Sequence, residues 1–153
     1  MTDKKSNSKT GLTASLNGAL ADHLALYLKT KNFHWHVAGP RFRDLHLLFD
    51  EQAKQIVALV DVIAERVRKN DEITLTSIGS VGEHTRIADQ DDVTLTPDAM
   101  VAELRDDNRK LRERLIEVKE AAESANDNAT SGLVDEWIDE CEERIWFLAQ
   151  TAK

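Results

Sequence analysis

The sequence predicts an all-α fold: a bundle of four long helices, with one long crossover between the second and third. Three observations lead there. Apolar residues recur every three or four positions along four separate stretches, which is the helical period. The chain has only two prolines, Pro40 and Pro97, and both stand at the borders of those stretches, where a residue without an N–H does least damage. At 153 residues and 41% hydrophobic, the chain is one domain of ordinary size with enough apolar material for a single core.

In chain order, residues 1–10 are polar, and Lys4, Lys5 and Lys9 against Asp3 make them a small basic tail, expected to be flexible. The bundle domain is expected over residues 11–153. Leu12, Leu16, Leu20, Leu24, Tyr27 and Leu28 form the apolar stripe of a first helix from about Leu12 to Val37, ended by Gly39-Pro40. A second helix is predicted from Arg41 to Lys69. Residues 70–96, rich in Gly, Ser, Thr and Asp, are too many for a bare hairpin loop, so the chain must cross the bundle here. Thr96-Pro97-Asp98 starts the third helix, with a hydroxyl cap, proline in the first turn and a carboxylate at the positive end. Its stripe is Val101, Leu104, Leu111, Leu115, Val118 and Ala122, interrupted by Asn108. Asn126-Asp127-Asn128 breaks it. The fourth helix starts near Thr130 or Ser131 and runs towards Ala152, with Val134, Trp137, Ile138, Cys141, Ile145 and Leu148 inward and Trp146 and Phe147 off the stripe, placed for a subunit contact.

Composition narrows the function. No apolar run approaches the 18 residues of a membrane span, and MTDKKSNSKTG has no apolar signal core, so a cytoplasmic protein is expected. Cys141 stands alone on an apolar stripe, which favours a small buried hydrophobe over a nucleophile. A net charge of −8 repels nucleic acid and attracts cations, so any DNA contact must come from a local basic element.

The second helix carries the chemistry. With about 100° and about 1.5 Å per residue, His46 at zero places Asp50 near 40°, Asp61 near 60° and Glu65 near 100° by the same count. Phe42, Leu48, Phe49, Ile56, Leu59, Val60, Ile63 and Val67 cluster on the opposite side. The ligand-type face carries Leu47, Ala53, Val57, Ala58 and Ala64 on or beside it, as a partner surface would. Asp50 and Asp61 are separated by about 16 Å of helix rise, whereas metal–ligand bonds span only about 2.0–2.6 Å. One chain cannot close one site with both. Two helices packed antiparallel about a two-fold axis near residues 55 and 56 can, giving two shared sites about 22 Å apart. By spacing alone, a solvated face with i,i+4 charge pairs fits the same residues.

His34-Trp35, Gly39, Phe42, Leu45-His46, Phe49-Asp50, Asp61 and the run Ala64-Glu65-Arg66 together resemble the signature of the Dps family, the DNA-binding proteins from starved cells within the ferritin-like group. The resemblance implies a ferritin-like four-helix bundle with the short crossover helix at about Ser77–His84. It implies a ferroxidase whose site lies between two-fold-related subunits, with His34, His46 and Asp50 from one chain and Asp61 and Glu65 from the other. The metal is then iron, Fe(II) going to Fe(III), with hydrogen peroxide preferred over dioxygen as oxidant. Trp35 lies beside the iron and takes up oxidising equivalents. Family shells are hollow dodecamers built from two-fold dimers. They store ferric mineral and protect DNA from oxidative damage, in a cytoplasmic, nucleoid-associated setting. They admit iron through acidic three-fold pores near the start of the last helix, for which Asp127 and Glu136 are the candidates here, while Gly132 and Ala129 stand where such chains often carry Asp. In some members lysine-bearing tails contact DNA, a role open to Lys4, Lys5 and Lys9. No Glu-x-x-His occurs in the chain, which argues against a di-iron centre within one bundle. The alternatives are a DNA-compacting nucleoid protein with secondary metal binding, and a helical bundle with no metal role.

Overall fold

Four long amphipathic stretches cannot bury their stripes singly, so they pack on one another. The computed structural model describes residues 2–153, and Met1 of the expected tail lies outside them. In order it contains α1 (Thr2–His36), α2 (Phe42–Lys69), α3 (Ile78–His84), α4 (Pro97–Ser124) and α5 (Asn128–Thr151), with no strand among the described residues. α1 pairs with α2, α4 pairs with α5, α1 joins the two hairpins by packing on α4, and α3 lies against α1. Leu16, Leu26, Phe33, Phe49, Ile56, Ile63, Leu104, Leu111, Leu115 and Leu148 fill the centre. Each such side chain contributes about 1.5–3 kcal/mol by leaving water.

Two parts of the expected core face outward. The leucines of α1 recur every four residues, and each step rotates the row by about 40°. Leu12, Leu16 and Leu20 are therefore buried while Leu28, four steps on, is 60% exposed. The inward side continues through Leu26, Phe33 and Val37 instead. Phe42, at the first turn of α2, is exposed and stacks on His46, with ring centroids 4.9 Å apart. Conversely Ala53, expected on or beside the ligand face, is buried. α1 also starts at Thr2, well before its apolar stripe. Its first turns satisfy hydroxyls locally, Ser8 donating to the Lys4 carbonyl and Thr10 to that of Ser6.

The ends follow local chemistry. Gly39 takes φ +110 and its carbonyl accepts from the Phe42 amide, turning the chain into α2. The Ser77 hydroxyl caps α3 in a reciprocal pair with Ser80, and the Thr96 hydroxyl accepts from the Ala99 amide to start α4, as its sequence predicts. α5 begins two residues ahead of expectation. Asn126 adopts φ 57, and Asp127 becomes the cap, accepting from the Thr130 amide. The crossover is tied down by polar side chains of α1. Asn17 donates to the Ile73 carbonyl, Lys29 to that of Ala88 and Asn32 to that of Gln90. The fully buried Asp22 accepts from the Arg86 amide, from the Thr85 hydroxyl and from Arg114 of α4. No helix among the described residues is long and apolar enough to cross a membrane.

Candidate metal centre

The pairing of α1 with α2 brings the end of one helix against the first turns of the next, and two histidines meet there. His34 Nδ1 lies 2.6 Å from the His46 carbonyl, and His46 Nδ1 lies 2.7 Å from the His34 carbonyl. A carbonyl only accepts, so both Nδ1 atoms donate, and Nε2 of each ring is the nitrogen left to bind a ligand in the neutral form. The rings stack with centroids 3.8 Å apart and 13° between planes. Two neutral imidazoles with fixed tautomers are what a metal requires, since a ligating His must be unprotonated on the bonding nitrogen.

Asp50, one turn beyond His46, completes this half. Its Oδ1 lies 4.0 Å from His34 Nε2, too far for a hydrogen bond. Both oxygens are held by ammonium groups: Lys31 Nζ at 2.9 Å from Oδ1 and Lys54 Nζ at 2.7 Å from Oδ2. Lys54 first and Lys31 second hold the Asp50 carboxyl far below the usual carboxylate range. Neither lysine stands out when the chain is read for ligands. The signal was there, since Lys54 follows Asp50 by four residues and Lys31 precedes His34 by three, both same-face spacings on a helix. Trp35 is exposed beside the pair, with Lys31 Nζ 6.0 Å from its ring centroid.

Asp61 and Glu65 lie on α2 several turns further on, both exposed and without an ion pair among the described residues. No group of three His, Cys, Asp or Glu among the described residues closes around one point. The candidate ligands thus stand in two separate groups, His34 at the end of α1 with His46 and Asp50 at the start of α2, and Asp61 and Glu65 further along α2. Leu47 and Val57 on α2 and Leu28 and Trp35 on α1 are exposed large hydrophobic side chains.

The remaining candidates fall elsewhere. Asp127 accepts from the Thr130 amide and hydroxyl, from Asn70 and from Arg66. Burial opposes its charge, but these donors outweigh it and hold the carboxyl down to about 2. Its lone pairs are therefore committed within the subunit. Glu136 is exposed on α5. Lys4, Lys5 and Lys9 are exposed on the first turns of α1, and Lys9 lies 3.4 Å from Glu72. His23, which no sequence motif accounts for, is fully buried, and His36 is exposed and bonded to Asn32. Cys141 is buried as expected, its thiol donating to the Asn108 carbonyl, and burial pushes its pKa up.

A stacked imidazole pair and a carboxylate on the hairpin of an all-α bundle define a class, and comparison with known proteins agrees with it: the family model described as the ferritin-like domain matches residues 13–153. DNA protection during starvation protein 2 of Bacillus anthracis is 30% identical over 135 residues, covering 87% of this chain and 90% of that protein. The X-ray structure of Dps from Thermosynechococcus elongatus superposes with a TM-score of 0.94 at 26% identity, over 97% of this chain and 94% of that one. A Dps protein of Vibrio cholerae O1, described as a member of a broad superfamily of ferritin-like diiron-carboxylate proteins, gives a TM-score of 0.90 at 25% identity, over 96% and 92% of the two chains. The chain belongs to the Dps family of ferritin-like proteins.

Proposed function

We propose that the chain is a ferroxidase and iron store whose sites are completed between two subunits. Two copies pack α2 against α2, antiparallel, so that His34, His46 and Asp50 of one face Asp61 and Glu65 of the other. The observation that carries this reading is the reciprocal pair of Nδ1-to-carbonyl hydrogen bonds, which turns Nε2 of both imidazoles to the ligand side. Helix rise and the exposed apolar residues around the half-sites support the pairing.

Iron is the substrate and the cargo. Imidazole nitrogens with carboxylate oxygens suit Fe(II) and leave coordination positions for an oxidant, and three carboxylates per site favour the more highly charged Fe(III) once formed. Two Fe(II) ions each give up one electron, and hydrogen peroxide takes both, breaking its O–O bond and consuming two protons to become water. Dioxygen serves as the slower oxidant. Trp35, beside the site, intercepts stray oxidising equivalents. Ferric product collects inside a hollow dodecamer of two-fold dimers, and removing peroxide and Fe(II) together protects DNA in the cytoplasm. Exposed acids of α5, Glu136 among them, draw iron inward, with Asp127 holding the turn from which that helix starts.

The test is an anaerobic Fe(II) titration followed by peroxide, with particle mass measured before and after. Wild-type protein should oxidise Fe(II) and gain mass. His46→Ala and Asp61→Ala, on opposite half-sites, should each slow oxidation about 10- to 100-fold, as loss of ligands or their supports does at metal sites. Unchanged rates in both variants would exclude the assigned residues.

A DNA role is the second reading, favoured by Lys4, Lys5 and Lys9 all standing exposed on one helical segment. Repeated around an assembly, weak contacts add up. A gel shift at low salt that disappears on removing residues 1–10 supports it, and no shift with the full chain rejects it.

A further inference from the structure

The His46 imidazole is covered on both faces. His34 stacks on one, with centroids 3.8 Å apart and 13° between planes, and Phe42 stacks on the other, at 4.9 Å and 28°. The two covering rings make no aromatic pair with each other among the described residues, so they cannot share a side. Phe42 precedes His46 by four residues on α2, the spacing at which side chains meet along a helix, and its amide is tied to the Gly39 carbonyl at 3.0 Å. With Nδ1 on the His34 carbonyl as well, His46 keeps only its Nε2 edge open. Phe42 is a large apolar ring outside the buried core, and the stack on His46 is its one aromatic contact among the described residues. A partner subunit laid along α2 covers this stack further and takes nothing from it.

We propose that Phe42 is a positioning residue for the metal, acting through His46: it clamps the imidazole so that Nε2 stays aimed, and its π face stabilises that ring once a cation is bound. This rests on the shared-site reading above and adds to it a residue that sets metal affinity without touching the ion. When Nε2 gives its lone pair to a divalent cation, the imidazole takes on part of the positive charge. Two stacked imidazoles that both bind metal then carry like charge at 3.8 Å, which weakens their contact. The negative face of the Phe42 ring attracts the same charge, so its stack strengthens where that of His34 weakens. Only such a difference between the empty and filled states can raise affinity. An aliphatic side chain of similar size fills the same space and gives up that difference.

The test uses the full assembled protein with Co(II) and no oxidant, followed by calorimetry and by the visible spectrum of the bound ion. Phe42→Leu should bind Co(II) about two- to ten-fold more weakly than wild type, the range an aromatic pair is worth. Its spectrum should shift, because the imidazole no longer keeps one orientation. Phe42→Tyr, which retains the π face, should restore both affinity and spectrum, and particle mass should be the same for all three. Wild-type affinity in Phe42→Leu, binding by Phe42→Tyr as weak as by Phe42→Leu, or weaker binding that comes with a fall in particle mass overturns the clamp while leaving the shared site standing. No Co(II) binding by wild type, or binding untouched by His46→Ala, overturns the shared site and this inference with it.

Discussion

His23 sits at the centre of the bundle with its Nδ1 donating to the Ala19 carbonyl, and it is fully buried. Burial pushes its pKa down to about 4, and nearby Arg144 adds in the same sense against the opposing pull of that carbonyl. In the unfolded chain the group titrates near 6.5. Between these values the unfolded state binds the proton and the native state does not, so stability rises with pH across that window. The contribution is fully present above about pH 6.5 and is lost as the pH falls towards 4, by about 3 kcal/mol in all. Asp127 behaves as depressed carboxylates do: its share is present above its ordinary value of 3.8 and is lost only as the pH falls from there to about 2. The acid side of the profile should therefore have two steps, the first from His23. Urea midpoints of wild type should drop between pH 7 and pH 4.5, and His23→Gln should flatten that drop while leaving the lower one in place. An unchanged slope in the variant would assign the upper step to another group.

At the scale of elements, what sets the crossover against the bundle is polar and could not be read from hydrophobic period. α1 and α4 approach at Gly18, where a Cβ would lie 2.4 Å from Arg114 Nη1 and 2.7 Å from its Cζ. That space lets the Arg114 guanidinium reach Asp22 at 2.8 Å and the His84 carbonyl at 3.1 Å. Alanine is the better helix former by about 1 kcal/mol, yet disrupting a buried ion pair costs about 3–5 kcal/mol, so the pair decides the sign. Gly18→Ala should lower stability by about 2–4 kcal/mol. It should also speed hydrogen exchange at the Arg86 amide, which Asp22 accepts. Faster exchange confined to the helix ends would show that the pair does not anchor the crossover. The long helices were legible because capping and breaking residues act locally: Gly39, Thr96 and the Asn126-Asp127 turn stand where the sequence predicts ends, while the start of α3 at Ser77 came through the family resemblance. The start of α1 was not, since residues 2–10 have no apolar stripe to mark them. Nor was the outward turn of Leu28, which comes from a four-residue repeat drifting around a helix of 3.6 residues per turn. His46 and Asp50 were legible because they lie one turn apart on α2, and His34 came only through the family resemblance. Lys31 and Lys54 were missed because a search for ligands passes over cations.

At the scale of the whole molecule, the shared site proposed above makes the subunit an incomplete unit, and that proposal can be tested by mixing. A His46→Ala chain keeps an intact Asp61/Glu65 half, and an Asp61→Ala chain keeps an intact His34/His46/Asp50 half. In a dimer of one with the other, the two damaged halves meet at one site and the two intact halves meet at the other. Each variant alone has no whole site, and a mixed dimer has one. If subunits pair at random, half the dimers are mixed, so co-assembled protein should recover about a quarter of the wild-type number of sites. That recovery would be read as Fe(II) oxidised in the first turnover per subunit. It requires exchange of subunits, so variants assembled separately and then combined should stay near their individual rates. Val57→Asp supplies the complementary case. Val57 is exposed, close to the proposed axis and on the ligand side of α2, so antiparallel pairing sets two such carboxylates near each other in an apolar contact. That variant should lose particle mass and metal binding together, whereas His46→Ala should lose the metal and keep the mass. A site made within one subunit predicts the reverse on both counts: no recovery from co-assembly, and metal binding that survives dissociation.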